Sequence, residues 1–190
     1  MQKVSLGLLT LLCMFFSCWA CSSRQEQKPT TVENTPALNI DSLLQAGDPL
    51  SVIMQLDSRA NQLSHYGEDV SGLTEPQKVL LYVENLEREI NNGGFNQFYW
   101  NTSGNYALET VDGLKAIRAL KMAEIVIKAH AEWPTETIPK DQTERQEMLE
   151  KIEDRAKTVW EQCDQEFYQY PDNIESLLFE YIKHHRVEFQ

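Results

Sequence analysis

The chain has 190 residues, with 29 acidic and 17 basic side chains, and its formal net charge at pH 7 is −12. Direct binding to nucleic acid or to anionic lipid headgroups needs clustered Lys and Arg, so this charge balance argues against both classes of protein. Of the four cysteines, three lie within the first 21 residues, which excludes a disulfide-rich fold.

The N-terminus has the pattern of an export signal. Lys3 precedes an apolar run over residues 4–16 that is too short to span a membrane, which predicts a signal peptide over residues 1–20. The junction SCWACSS resembles the lipobox of bacterial lipoproteins, because Ala20 directly precedes Cys21 and two serines follow. The resemblance implies that Cys21 carries the lipid and that an anchor in the membrane of the cell envelope holds the protein.

Other outcomes remain open at this junction. Cys18, which follows Ser17, is a second possible lipid acceptor, the chain can be cleaved after Ala20 without lipidation, or the segment can stay uncleaved as an anchor. An unmodified Cys21 can also pair with Cys163. Cys163 itself lies on an apolar helical stripe. If it does not pair with Cys21, a buried and unreactive thiol is the usual outcome.

Residues 21–47 have the composition of a flexible tether. The segment is polar, contains two prolines and lacks aromatic residues, so it has too little apolar surface to order itself. Its apolar patch at residues 38–44 can dock on the domain or form a brief helix. The helical domain is predicted to span residues 48–190.

Apolar residues at helical spacing predict six helices in this domain. Capping-box patterns at Thr74 and at Asp172 mark two of the helix starts. No sustained period-two pattern is present, so the predicted fold class is all-α, a compact bundle of about six helices with a short helical turn at residues 94–100. The predicted helices cover residues 49–66, 75–91, 106–120, 122–131, 141–170 and 173–186.

The most distinctive stretch is NNGGFNQFYWNTSG at residues 91–104, which carries no charge and holds four aromatic residues. The glycine pair predicts a left-handed helix C-cap, the two phenylalanines predict a turn packed into the core, and the last four residues predict a turn with locally bonded side chains. These structural roles fall on Gly93, Gly94, Phe95, Phe98 and Gly104.

Three further residues of this stretch are candidates for contact with a partner. Tyr99 and Trp100 offer flat apolar faces, and Asn101 adds an amide, a combination that suits a sugar ring or a peptide backbone. The sequence therefore predicts a protein or glycan partner for this site.

Motifs for catalysis are missing from the sequence. It contains no GxSxG elbow, no HExxH, no CxxC and no glycine-rich phosphate loop, which predicts a protein that is not an enzyme and that needs no cofactor. One alternative is a metal-dependent enzyme, because Glu180, His184 and His185 lie close together near the C-terminus, with Glu188 as a further ligand.

Three stretches carry a family resemblance: NGGFNQFYWNTSGNYALETVDGLKAI, KMAEIVIKAH and WEQCDQEFYQYPDNIESLLFEYIKHH. Together they resemble the family named after a bacterial DNA-mimic protein, over about residues 74–189. The resemblance implies a helical fold and, as in the founding member, carboxylates that take the place of phosphates in binding a DNA-binding protein.

Two features of the chain favour a different function. The export signal places the chain outside the cytoplasm, and the acids of the helix at 141–157 are interleaved with bases, which predicts a solvated face of mixed charge. The leading hypothesis is therefore a lipid-anchored envelope protein whose non-catalytic domain binds a protein or a glycan, and a DNA mimic is the alternative. The interleaved bases are Arg145, Lys151, Arg155 and Lys157.

Overall fold

The computed structural model describes residues 39–190, and within them the chain forms seven α-helices, two short 3-10 helices and no strand. The predicted all-α fold class is thus confirmed. The predicted signal peptide, Cys21 and the first part of the tether lie outside the described residues. The helices are α1 (Ile40–Ala46), α2 (Pro49–Leu63), α3 (Glu75–Trp100), α4 (Ala107–Ala116), α5 (Leu120–His130), α6 (Gln142–Phe167) and α7 (Ile174–His184), with 3-10 helices at Thr102–Tyr106 and Arg186–Phe189.

Helix α1 precedes the first predicted helix and packs on the domain core. The side chain of Asn39 caps this helix by accepting a hydrogen bond from the Ser42 N–H at 3.0 Å. Ile40 is 1% exposed and belongs to the main hydrophobic core. Within residues 39–44 the apolar patch thus forms a helix that packs on the domain, and these are the two outcomes that the sequence left open.

One of the two predicted N-terminal helix caps is present in the structure. Thr74 and Gln77 form the predicted capping box of α3, because each side chain accepts a hydrogen bond from the other residue's N–H. Helix α7 differs from the prediction, since Asn173 supplies its N-terminal cap. Asp172, the predicted cap, instead accepts hydrogen bonds from the Lys121 and Met122 N–H groups at the start of α5.

Helices α3 and α6 form the centre of the domain. Both are 26 residues long, and α3 packs against α2, α4 and α6. Trp160 ties α6 to α5 by donating from its indole Nε1 to the Ala129 carbonyl at 3.0 Å. Cys163 lies on the buried face of α6 and is fully buried, and burial raises the pKa of its thiol to about 11, so little reactive thiolate forms at pH 7.

The described part of the chain contains no helix with both the length and the apolar character needed to cross a bilayer.

Candidate functional site

The distinctive stretch forms the last part of α3, beyond a kink at two glycines. Gly93 (φ −160°, ψ 17°) and Gly94 (φ 74°, ψ −171°) leave the helical conformation, and the chain then becomes helical again up to Trp100. Of the pair, only Gly94 has a positive φ, and its ψ is far from that of the left-handed helical conformation, so the predicted left-handed C-cap does not form. The break at the two glycines matches the predicted helix end after about Asn91, and the helical part that follows matches the predicted helical turn at residues 94–100.

Asp164 of α6 fixes the geometry of the kink. Its Oδ1 accepts a hydrogen bond from the Phe95 N–H at 2.9 Å and so satisfies the first free donor of the last part of α3. A Cβ added to Gly94 would lie 2.3 Å from Asp164 Oδ2, so the carboxylate occupies the space that a side chain would need. Burial raises the pKa of Asp164, and the hydrogen bond from Phe95 opposes that shift.

The aromatic residues that follow the kink build the core. Phe95, Phe98 and Tyr99 are each 0% exposed. Phe95 meets Phe167 of α6 edge to face, with ring centroids 6.5 Å apart, and Tyr99 lies 5.1 Å from the ring of Trp160. These contacts join the last part of α3 to α6 through side chains with few rotatable bonds.

Tyr99 also connects three helices through His130. The Tyr99 hydroxyl lies 2.8 Å from His130 Nδ1, and His130 Nε2 lies 2.8 Å from the Ala107 carbonyl oxygen. Because a carbonyl only accepts, Nε2 carries the proton and Nδ1 accepts from the tyrosine. Burial lowers the pKa of His130 to about 4, so the imidazole is neutral at pH 7 and both of its nitrogens serve the fold.

The three predicted contact residues therefore lie in different environments. Tyr99 is fully buried, which contradicts the prediction that it contacts a partner. Trp100 is 40% exposed. Asn101 is half-buried, and its side-chain amide donates to Glu89 Oε2 at 2.8 Å. Trp100 and Asn101 remain candidate contacts at the end of α3.

Arg145 differs most from its predicted environment. The sequence predicts a solvated face of mixed charge that includes this residue, but Arg145 is 0% exposed. Its guanidinium donates five hydrogen bonds and meets no carboxylate among its acceptors. These bonds go to the carbonyl oxygens of Tyr99 (2.7 Å), Pro139 (2.8 Å), Lys140 (3.0 Å) and Asn101 (2.8 Å) and to Asn105 Oδ1 (2.7 Å).

Arg145 joins the distinctive stretch to the start of α6. Burial lowers the pKa of Arg145 to about 10, and the nearby Asp141 opposes that shift, so the side chain stays charged at pH 7. Gly104 makes room for it, because a Cβ there would lie 2.6 Å from Arg145 Nε and 2.9 Å from the Tyr99 carbonyl. The glycine was assigned to a turn, and its contact with the arginine explains why a larger residue would not fit.

The outer surface of α6 is the main charged feature near this stretch. Helix positions opposite the buried stripe of α6 are exposed and include several acidic residues. We call this surface the α6 acidic face. It consists of Glu144, Glu147, Glu150, Asp154 and Glu161, all exposed.

The bases of α6 neutralise this face less than the sequence suggested. Arg145 is buried in the network described above. Arg155 turns aside to Glu132, with Nη1 3.8 Å from Oε2 and a further bond from Nη2 to the Glu132 carbonyl. Lys151 and Lys157 remain at the surface, and Lys157 lies 4.0 Å from Glu161. Arg145 is therefore absent from the exposed face, and Arg155, although exposed, is paired with a residue outside α6.

The predicted metal-ligand group does not assemble. His184 Nδ1 bonds to the Glu180 carbonyl oxygen at 2.7 Å, and the Glu180 carboxylate pairs with Lys183. His185 lies 3.6 Å from Glu188. Across residues 39–190, no group of three or more His, Cys, Asp or Glu side chains is arranged to hold a metal ion. The metal-dependent alternative thus has no ligand set in the described domain.

The fold and the site together define an acidic, all-α domain whose distinctive motif builds the core and whose exposed face on α6 carries carboxylates. Residues 71–185 match the family described as DMP19-like protein, so the chain belongs to this family. It is the DNA-mimic family that the sequence resembles, and that prediction is confirmed. Comparisons with curated proteins and with solved structures found no match.

Proposed function

We propose that this chain is a non-catalytic binding domain, and that its partner is a protein with a basic surface that docks on the α6 acidic face. The observation that carries the proposal is the position of the α6 bases, since Arg145 is buried and Arg155 turns to Glu132. Exposed carboxylates that outnumber the neighbouring bases attract a positively charged partner and steer its approach.

A protein partner fits the site better than a glycan. A sugar site needs an open aromatic platform beside polar groups, and the burial of Tyr99 reduces that platform to Trp100. Trp100 lies at the first turns of α6, where the α6 acidic face begins, because its carbonyl oxygen accepts hydrogen bonds from Gln142 at 3.1 Å and Gln146 at 2.9 Å. An exposed tryptophan beside a charged face is typical of a protein interface.

The second candidate is sequestration of a DNA-binding protein, which membership of the DMP19-like family supports. Glu147, Glu150 and Asp154 follow one another at three and four residues. This spacing is about 4.5–6 Å along the helix axis, compared with about 3.4 Å per phosphate along one DNA strand. The row of charges has the same order of spacing as a phosphate backbone, which supports this narrower version of the same binding mode.

Both versions are tested by neutralising the α6 acidic face. The full-length protein, carrying Cys21→Ser to prevent lipidation, is immobilised and offered envelope proteins and, separately, proteins retained by DNA-cellulose. We expect the triple variant Glu147→Gln, Glu150→Gln, Asp154→Asn to weaken capture about tenfold or more, with the difference shrinking as salt rises. Duplex DNA displaces the captured protein if the chain is a DNA mimic and leaves it bound if the partner is another basic protein.

The control variant removes the same charge from exposed positions outside α6. It carries Asp48→Asn, Glu68→Gln and Glu124→Gln. The proposal requires this control to bind as the unaltered domain does. If both triple variants weaken capture equally, net charge and not the α6 acidic face decides binding. If neither variant weakens capture, the acidic residues of α6 do not contribute to binding. Either result would contradict the proposal.

We propose further that Cys21 anchors the domain to the membrane of the cell envelope. Support for the anchor comes from the apolar run at residues 4–16 and from the junction SCWACSS. In the native host, the intact mass of the mature protein should equal a chain beginning at Cys21 plus acyl groups. Cys21→Ser should move the protein from the membrane fraction to the soluble fraction. An unmodified N-terminus at Met1 would contradict the anchor.

A further inference from the structure

A groove on another side of the domain lies between the α4–α5 turn and α7. Its volume is about 510 Å³. One wall is apolar, and the polar lining residues are Arg118, Glu180, His184 and His185. The apolar wall consists of Ala116, Ile117, Leu177 and Tyr181.

Arg118 lines this groove in a conformation that is unusual for arginine. Its φ is 68°, and it occupies the left-handed position that ends α4, where glycine is the common residue. The Ala119 N–H bonds to the Leu114 carbonyl at 2.8 Å, and the Arg118 N–H bonds to the Lys115 carbonyl at 3.0 Å. The backbone therefore forms the helix end that usually contains glycine, with arginine in the glycine position. Because this backbone conformation is strained for arginine, its presence here indicates a function for the side chain.

The guanidinium of Arg118 has no ion pair or hydrogen bond within residues 39–190, in a chain with 29 acidic side chains. Other surface arginines are paired. Arg88 lies 2.5 Å from Asp57, and Arg186 lies 3.6 Å from Asp41. Glu180 also lines the groove, but its carboxylate pairs with Lys183. Arg118 thus presents its donors to the groove without an internal acceptor.

The remaining polar groups of the groove are held in place. His184 donates from Nδ1 to the Glu180 carbonyl at 2.7 Å, which leaves its Nε2 free. His185 packs on the ring of Tyr181 with centroids 4.3 Å apart. The α4–α5 turn is fixed from the other side by Asp172, which accepts from the backbone N–H groups that follow Leu120. The walls of the groove are therefore pre-organised before anything binds.

We propose that this groove binds a small organic anion, with Arg118 donating to its carboxylate or phosphate group and the apolar wall packing against the rest of the molecule. An arginine fork matches a planar or tetrahedral oxyanion with two parallel hydrogen bonds. Ile117, Leu177 and Tyr181 give the ligand an apolar contact that a bare inorganic ion does not use. This site is separate from the α6 acidic face and does not depend on it.

The proposal is tested by titrating the full-length Cys21→Ser protein with glucuronate, hippurate and inorganic phosphate, with calorimetry as the readout. The first probe carries an acid on a sugar, the second on a peptide-like chain, and the third carries no apolar part. We expect hippurate, whose phenyl ring can pack on the apolar wall, to bind more tightly than glucuronate or phosphate. Arg118→Gln should weaken binding about tenfold or more, because a charge-assisted bidentate contact is lost. Arg186→Gln, which removes a paired surface arginine, should leave binding unchanged.

A second variant separates binding from folding. Arg118→Gly should raise the melting temperature, since glycine adopts the left-handed conformation without strain, while it removes anion binding. A more stable protein that no longer binds the probes would establish the side chain's role. If none of the three probes binds, or if Arg118→Gly binds them as the unaltered protein does, the proposed site is wrong.

Discussion

Replacement of Arg145 by methionine is expected to lower the free energy of unfolding by about 3–5 kcal/mol, because a buried charged donor is lost from a dense network. Methionine fills similar space but leaves four backbone carbonyls and Asn105 Oδ1 without their donor. Those acceptors lie in two segments, residues 99–105 and 139–140, that Arg145 joins to α6. Urea denaturation followed by circular dichroism measures the change.

Arg145→Lys tests the geometry of the same network. Lysine keeps the charge but has three donors on one atom, so it cannot reach acceptors that a planar fork bonds on three sides. We expect it to recover less than half of the loss. The control is Arg155→Met on the same helix, whose half-exposed side chain should change stability by less than about 1 kcal/mol. A near-neutral effect of Arg145→Met would contradict the view that this residue holds the end of α3.

The burial of Arg145 could not be predicted from the sequence pattern, because it depends on tertiary contacts. In the sequence, residues 144–147 read as a polar first turn of a helix, where charged residues normally face solvent. The acceptors that bury this arginine come from Tyr99 to Asn105 and from Pro139 and Lys140, which are brought together only by the tertiary fold. One available signal was Gly104 in a polar turn, since a glycine also marks the close approach of another group.

Features set by local chemistry were predicted well. The all-α class follows from helical spacing of apolar residues, and the Thr74 capping box follows from four consecutive residues. The predictions that failed depend on contacts between distant segments. Asp172 has the sequence of a local cap, but it bonds to the start of α5, and Tyr99 has the composition of a contact residue, but His130 binds it in the core. Burial at the end of α3 is decided by α5 and α6 and not by the motif itself.

Gly94→Ala is expected to cost about 2–4 kcal/mol of unfolding free energy, from two sources that act at one position. The conformation at φ 74° and ψ −171° belongs to a region that only glycine adopts freely, with a cost of about 1–3 kcal/mol for other residues. The added methyl would also lie 2.3 Å from Asp164 Oδ2. Gly72→Ala is the matched control, because a Cβ there meets nothing within 4 Å, and its effect should stay within about 0.5 kcal/mol.

A double-mutant cycle with Asp164→Ala separates the two costs of Gly94→Ala. Removal of the carboxylate relieves the close contact but not the backbone strain, so Gly94→Ala should cost about 1 kcal/mol less in the Asp164→Ala background. Additive changes would mean that the backbone alone requires glycine, and a near-neutral Gly94→Ala would contradict the kink itself. Asp164 Oδ1 also accepts a hydrogen bond from the Phe95 N–H at 2.9 Å, so Asp164→Ala alone should destabilise the domain. The kink of α3 and the middle of α6 are therefore coupled through this one carboxylate.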